Sequence, residues 1–382
     1  MVKKLRNFLA DCIAQADLAL LTMCISASCF GLLLIASATR YNDGNRKVVV
    51  QAAGICIGVL CYILFSVLDV EAVVVYWKWI FAASVLFILL LLTPLGVEHY
   101  GNRAWIDAPF LPVQLQPAEV VKLPFAMLLA KQLAILKEKN DMHSVGAAAF
   151  VGGHVLFMVG LIFAISGDAG SCLVYISIFG CMAFAAGFAL RWFAAVGGLM
   201  TAVVAFLFYT DKLPKYMIER FRAIFDHSYD PMGVGWNQTR SLLAIGSGRV
   251  FGQGLFQGIQ TQSTNKSALP NRENDFIFSV AGEELGMVGC FLVLGVITVI
   301  ILRCLYTAKV AKTPLEQYIC VGIAGMLIFQ TVENVGMCLF VMPVIGLTLP
   351  FFSYGGSSIV MLYCAMGVVS GIKQRSKPGW LR

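Results

Sequence analysis

FIFSVAGEELGMVGCFLVLGVITVIIL, residues 276–302, is an apolar run with two adjacent glutamates, Glu283 and Glu284, in its first half. Crossing the hydrocarbon of a bilayer takes roughly twenty mostly apolar residues in a helix, and this run exceeds that. Similar runs recur on both sides of it, at 18–38, 48–68, 74–95, 119–136, 144–165, 169–188, 190–209, 318–341 and 350–372. The expected fold is all-α: a polytopic membrane protein of about ten transmembrane helices, with one large extracytoplasmic loop at 210–275 between helices 7 and 8. Residues 1–382 form a single integral membrane domain, with tails at 1–17 and 373–382.

Composition agrees. Of 382 residues, 59% are hydrophobic and 13% are charged, against roughly 25% charged in a soluble domain. A surface that poor in charge finds its solvent in lipid. The net charge of +7 does not point to nucleic acid, because the basic residues gather at helix ends. The twelve cysteines lie almost entirely in apolar runs with no CxxC, and the four histidines lack ligand spacing. That pattern speaks against a disulfide framework and a zinc site. His154, inside an apolar run, reads as a helix-packing donor. Ala36-Ser37-Ala38 resembles a cleavage site, but the run before it is too long for a signal peptide, so it reads as an uncleaved first span.

Ten spans place both termini on one side. With that side inside, the inner segments carry Lys3, Lys4, Arg6, Lys78, Lys137, Lys139, Arg191, Arg303, Lys309, Lys312, Lys373, Arg375, Lys377 and Arg382, while short outer loops carry only Arg40, Arg46, Lys47 and Arg103. The excess of inner basic residues puts both termini in the cytoplasm and the 210–275 loop outside. Within it, Met217, Ile218, Phe221, Ile224 and Phe225 recur at helical spacing between Lys215, Arg220 and Arg222. They suit either a helix in the membrane interface or an ordinary helix with a solvated face.

Chemistry is sought where polar residues break the apolar pattern. Gly246-Ser247-Gly248-Arg249-Val250-Phe251-Gly252-Gln253-Gly254 lacks the Gly-Lys-Ser/Thr end of a nucleotide loop. Its bare amides suit a lipid pyrophosphate instead. Ionisable groups at membrane depth are costly and commonly functional. Glu119 and Lys122 share a helix face, Lys131 lies deeper, and Glu283, Glu284 and Glu333 sit inside later spans. For the last three, a network that pairs helices leads over direct catalysis. Asp275 closes the long loop. It reads first as a helix N-cap, and also as a general base whose pKa is raised by apolar neighbours. The turn Ser353-Tyr354-Gly355-Gly356-Ser357-Ser358 after Pro350 permits close packing or a re-entrant bend.

In order along the chain, these stand out: Gly258-Ile259-Gln260; Leu269-Pro270; Asp275-Phe276-Ile277-Phe278; Gly282-Glu283-Glu284-Leu285-Gly286; Asn334-Val335-Gly336; Pro343 with Gly346; and Leu349-Pro350 leading into Ser353-Tyr354-Gly355-Gly356-Ser357-Ser358. Together they resemble the SEDS family of shape, elongation, division and sporulation proteins, which includes RodA and FtsW, over nearly the whole chain. The family's Gly-Ala-Arg-Arg-Trp-Ile stands here as Gly101-Asn102-Arg103-Ala104-Trp105-Ile106, and its Gln-Pro-Ser-Glu as Gln116-Pro117-Ala118-Glu119. Its Gln-Pro-Asp-Leu-Gly keeps only Asp168 and Gly170, and the Glu usual after Leu-Pro is Asn271.

The resemblance implies a peptidoglycan glycosyltransferase that polymerises lipid II on the outer face of the bacterial cytoplasmic membrane. Its implied partners are a class B penicillin-binding protein, cell-shape complex proteins and membrane lipids, with no nucleic acid. Asp275 matches the family's essential loop aspartate and is the expected catalytic base. Arg103, Trp105, Glu119, Lys122, Arg240, Arg249 and Gln260 are the expected substrate or pyrophosphate contacts. Glu283, Glu284, Asn334, Pro350, Ser353, Tyr354, Gly355, Gly356 and Ser357 are the expected structural motif. Mg²⁺ or another divalent cation is an expected companion of the pyrophosphate, although no metal ligands are assigned. Gly258-Ile259-Gln260 and Asn334-Val335-Gly336-Met337 lean to RodA and cell elongation, whereas Gly346-Leu347-Thr348-Leu349-Pro350-Phe351 leans to FtsW and division. The rivals are a lipid II flippase and a non-catalytic scaffold for the crosslinking enzyme.

Overall fold

The computed structural model describes residues 16–41, 45–99, 101–107, 114–210, 215–226, 233, 235–265 and 267–377. Expectations for 1–15 and 378–382, and for parts of the long loop, lie outside these residues. Among the described residues, seven helices are long and apolar enough to cross a membrane: α1 (Leu18–Thr39), α2 (Arg46–Val67), α6 (Val145–Ser166), α7 (Ala169–Ala186), α11 (Ile277–Val310), α12 (Pro314–Cys338) and α13 (Gly356–Ser376). Between them lie α3 (Val70–Val74), α4 (Trp77–Leu89), α5 (Pro117–Glu138), α8 (Leu190–Tyr209), α9 (Lys215–Phe225) and α10 (Trp236–Gly248). A helix therefore meets each of the ten expected spans.

Local signals set several boundaries. Pro117 and Pro314 occupy first helical positions, where their missing N–H costs nothing. The Ser144 hydroxyl accepts from Ala147 N at 3.0 Å, and the Asp168 carboxylate accepts from Ser171 N at 3.0 Å. These caps satisfy amides that the first helical turn leaves open. α12 and α13 are the most buried of the spanning helices. α12 packs against α11, α7 and α5, and α13 packs against α2. At one end of the bundle Asp17 ties three helices together, pairing with Arg303 at 2.9 Å and Lys373 at 3.1 Å.

Four features depart from expectation. The third span is broken, with α3 and a turn before α4 and a short 3₁₀ turn (Leu90–Leu92) after it. An antiparallel hairpin, β1 (Gly96–His99) with β2 (Asn102–Ile106), follows, an addition to an all-α expectation. α13 starts at Gly356 rather than 350, because residues 349–355 are spent gripping a neighbouring turn. The eighth span continues to Val310 and is broken inside, at Gly286 (φ 69, ψ −162).

That break explains the glycine-rich segment. Gln253 N donates to Glu283 O at 3.0 Å and Gly254 N to Glu284 O at 2.9 Å, while Met287 N donates to Arg249 O at 2.9 Å and Val288 N to Val250 O at 3.2 Å. Residues 249–254 thus satisfy the backbone groups freed by the kink, as a low-dielectric setting requires. A Cβ at Gly286 or Gly252 (φ 81) would collide with the opposing backbone. The amides at 253 and 254 are committed to protein carbonyls, which corrects their reading as an anion cradle. The 210–275 segment is likewise more than a loop. α10 is packed onto α11, with Ser241 Oγ 2.6 Å from both Ser279 Oγ and Cys338 O.

Candidate active site

Asp275 sits in a turn, 271–276, immediately before α11. The turn closes on itself through Asn274 N and Phe276 N, which donate to Asn271 O at 3.0 and 3.2 Å. The 349–355 segment then holds it. Tyr354 N donates to Glu273 O at 2.9 Å, Ser353 Oγ donates to Asn274 O at 2.6 Å, and Leu349 N donates back to Ser353 Oγ at 2.8 Å. From α2, Gln51 accepts from Gly355 N at 3.0 Å and donates to Ser353 O at 3.3 Å, and Lys47 pairs with Glu273 at 2.6 Å. From α12, Asn334 Nδ2 donates to Asp275 O at 2.8 Å and to Leu347 O at 2.7 Å. The turn that carries Asp275 is therefore held by three separate elements, and α12 bonds the Asp275 carbonyl itself.

Its carboxylate is not fixed. It has no hydrogen-bond partner among the described residues and keeps a partly exposed edge. The N-cap reading is corrected: Phe276 holds the cap position, and its carbonyl accepts from Val280 N at 3.3 Å. Burial pushes the Asp275 carboxyl up to about 7, and the nearby Glu273 carboxylate pushes in the same direction. A carboxyl poised there is half ionised at neutral pH, the condition that suits a general base. Glu333, on α12, is only 3% exposed, and neither of its oxygens has a hydrogen-bond partner among the described residues. The expected helix-pairing network therefore does not include it.

Glu283 and Glu284 differ. Both are fully buried. Glu283 accepts from Gln260 N at 2.7 Å, Thr261 N at 2.8 Å and Thr261 Oγ at 2.6 Å. Glu284 accepts from Ser37 Oγ at 2.6 Å and Gln262 Nε2 at 2.8 Å. They pin the 258–262 turn to α11 and α1. Buried Arg272 closes that turn from behind, donating to Gln260 O at 3.1 Å and Ser263 O at 3.0 Å. Gln260, expected as a substrate contact, spends its side chain on the protein: its amide donates to Ala268 O at 3.0 Å and accepts from Ala244 N at 3.0 Å.

A second constellation surrounds α5. Lys122, 2% exposed, pairs with Glu119, and the two line a narrow cavity with Leu123, Ile178, Met326 and Leu362. Lys131 donates to Val74 O at 2.9 Å, and Arg103 on β2 donates to Thr93 O at 2.9 Å. Trp105 is half-buried on the same strand. Gln116 reaches Asp168 at 2.9 Å, and Gly170 lies so close to Ile345 O that a Cβ would stand 2.8 Å from it. The α7 cap thus abuts the 345–347 segment, whose Leu347 carbonyl shares Asn334 with Asp275. Arg240 stacks on Trp236 at 4.3 Å with its Nε unbonded, and Arg249 is exposed at the end of α10. Pro350 and Ser357 are buried supports, and Tyr354, Gly355 and Gly356 complete the gripping turn. His154 packs helices, its Nδ1 lying 2.9 Å from Gln132 Oε1. Among the described residues eleven cysteines are free.

Lys47, Gln51, Arg272, Glu273 and Asn274 join the site without having been expected in it. One signal was available: Lys47 and Gln51 lie four apart on one helix face, and Gln51 is a lone polar residue inside an apolar run.

Residues 12–378 match the FtsW/RodA/SpoVE model of cell cycle proteins. A protein of Trichlorobacter lovleyi named probable peptidoglycan glycosyltransferase FtsW is 30% identical over 94% of this chain and 93% of its own. Peptidoglycan glycosyltransferase MrdB of Escherichia coli K12 is 28% identical over 94% of each chain. A solved structure described as structural coordination of polymerization and crosslinking by a peptidoglycan synthase complex superposes with a TM-score of 0.75 at 28% identity, covering 94% of this chain and 98% of that one. The chain is a multi-pass membrane protein. The relatives do not favour the lean toward RodA, since the name FtsW goes with the 30% match.

Proposed function

The chain belongs to the FtsW, RodA and SpoVE family of cell cycle proteins, and from that premise we propose that it is a peptidoglycan glycosyltransferase polymerising lipid II on the outer face of the bacterial cytoplasmic membrane, both termini inside. The observation that carries this reading is the Asp275 carboxyl, without a hydrogen-bond partner among the described residues, on a turn held from three sides and pushed up to about 7 by burial. In the reaction, Asp275 takes the proton of the acceptor sugar's 4-hydroxyl. That oxygen forms a bond to the donor's anomeric carbon as the bond from carbon to pyrophosphate breaks. Undecaprenyl pyrophosphate leaves, and Asp275 later gives its proton to solvent. A positioned base contributes roughly 10²–10⁴-fold.

Arg240 and Arg249 are the cations suited to the leaving pyrophosphate, because Lys122 and Arg103 already have protein partners. No group of three or more His, Cys, Asp or Glu side chains gathers as a cation cage among the described residues. The divalent cation is proposed as a companion of the pyrophosphate itself, with no ligand set assigned on this chain. The family and the FtsW-named relative support a division role, and the partner is a class B penicillin-binding protein that crosslinks the product. A flippase would need a polar path through the bundle, but Lys122 and Lys131, two charges expected along it, are bound to Glu119 and Val74 O.

Labelled lipid II supplied to the purified protein with its partner tests the reading. Wild type should yield polymer, and Asp275→Asn, equally well folded, should yield at least ~100-fold less. Equal polymer from both would remove Asp275 as the base. None from a well-folded wild type with its partner bound would move the reading to a flippase or a scaffold.

A further inference from the structure

Away from the Asp275 site, α1 and α11 leave an apolar groove of about 700 Å³ between them. Thr22, Met23 and Ser26 stand on its α1 side, and Val288, Gly295 and Val299 on its α11 side. Short side chains open it: a Cβ added at Gly295 would meet nothing within 4 Å. Val288 and Val299 remain 45% and 46% exposed, so the α11 wall faces lipid. From Val288 to Val299 the helix rises about 16 Å, roughly half of the ~30 Å hydrocarbon of a bilayer. The groove therefore has the depth of one leaflet. A spanning helix would need about twice that length, and a polyprenyl chain would overrun it.

One end of the groove is charged. Arg303 lies one turn beyond Val299 on α11, and Asp17 stands immediately before α1. The guanidinium Nε and Nη2 donate to the Asp17 carboxylate at 3.1 and 2.9 Å, so this pair closes the gap between the two helices. The Nη1 edge of Arg303 has no partner among the described residues. Lys373 of α13 also pairs with Asp17, at 3.1 Å, and its Nζ stands 5.6 Å from the centre of the Tyr306 ring. Tyr306 is exposed, as aromatic residues at the headgroup level commonly are. Gln374 Nε2 donates to Ala16 O at 2.9 Å, so both ends of the described chain meet here. Lys309 and Lys312, both exposed, follow on the same side. Asp17 alone answers two cations, and the end of the groove keeps a net positive charge.

We propose that this groove holds one acyl chain of an anionic glycerophospholipid, drawn from the leaflet on the side of both chain ends, and that the Nη1 edge of Arg303 takes the lipid's phosphate, with Lys373 and Tyr306 beside it. With both termini inside, that leaflet is the cytoplasmic one. The acyl chain fills the space between α1 and α11, and the phosphate neutralises the positive charge that Asp17 leaves. A planar guanidinium with a free edge suits a phosphate. The site lies at the end of the bundle opposite Asp275 and is independent of the polymerase reading.

Native mass spectrometry of the full-length protein, stripped of lipid in mild detergent, tests this. The protein is titrated with phosphatidylglycerol or with phosphatidylcholine of the same acyl chains. Phosphatidylglycerol should bind about fivefold more tightly, the effect of one basic contact with an anionic headgroup. Arg303→Gln, which leaves Lys373 on Asp17, should remove that preference. Gly295→Phe, which fills the groove at a position where helix propensity favours the change, should weaken the binding of both lipids. Equal binding of the two lipids by wild type would overturn the proposal, as would an unchanged preference in a folded Arg303→Gln or unchanged binding in a folded Gly295→Phe. Displacement of phosphatidylglycerol by an equal concentration of undecaprenyl phosphate would give the groove to a polyprenyl chain, and its loss when the crosslinking partner is bound would give it to a protein helix. Either result also overturns the proposal. If the variants do not fold, the wild-type preference and the two displacement measurements decide.

Discussion

Two sets of carboxyl groups flank the start of α11, and they are treated in opposite ways. Glu283 and Glu284, two turns into the helix, are surrounded by donors: three reach Glu283 from the 258–262 turn alone. Asp275, just before the helix, has its backbone bonded from α12 and its turn gripped by 349–355, yet its side chain has no hydrogen-bond partner among the described residues. A buried acceptor with every lone pair used is an anchor, because its removal orphans its donors. A bare acceptor on a rigid backbone is free to meet a substrate. Partner count, more than burial, separates the two roles.

That contrast should break most visibly in stability. Glu283→Ala would strand three buried donors and should destabilise the protein by about 3 kcal/mol or more, read as a lower melting temperature in detergent. Asp275→Asn should change stability by less than about 1 kcal/mol, or raise it, as relief of a strained functional site commonly does. Equal losses in the two variants would erase the distinction.

A pH profile sharpens it next. Asp275 must be ionised to act, so polymerisation should rise about tenfold per pH unit below its pKa and level off above about 7. The same group acts on stability in the opposite sense. Between the usual carboxylate range and about 7 the folded state holds a proton that the unfolded state has released, so this group's contribution falls as pH rises through that window. A rate plateau that extends down to the usual carboxylate range would deny Asp275 its role.

The smallest expected effect concerns Lys47. Its pair with Glu273 is partly exposed and should contribute roughly 0–1 kcal/mol to stability. Lys47→Met leaves the Glu273 charge unanswered beside Asp275, so the acidic limb of the rate profile should move upward by a few tenths of a pH unit. A downward movement would show that Glu273 does not bear on the base.

Much of this was legible in the chain. Ten apolar runs predict a helix at each position, because hydrophobic length is a one-dimensional property that the bilayer reads directly. The ordered motif from Gly258 to Ser358 marks Asp275 and the 353–358 turn as parts of one site. Other features were hidden for stated reasons. The hairpin carrying Arg103 and Trp105 is too short for periodicity to reveal. The break at Gly286 depends on residues 249–254, which sequence separates from it by a loop. The reading of Asp275 as a cap failed because a cap and the residue before it differ by one position, a difference set by the 271–276 turn.

The sequence by itself determined the membrane setting, the positions and order of the apolar helices, and the kinds of residue that a site contains, since these follow from composition and local pattern. Only the tertiary structure decided which acids are spent and which are free. Hydrogen-bond partners come from residues remote in the chain, such as Ser37 for Glu284 and Asn334 for the backbone of Asp275. Whether a buried carboxyl becomes an anchor or a base depends on donors that only folding brings within about 3 Å.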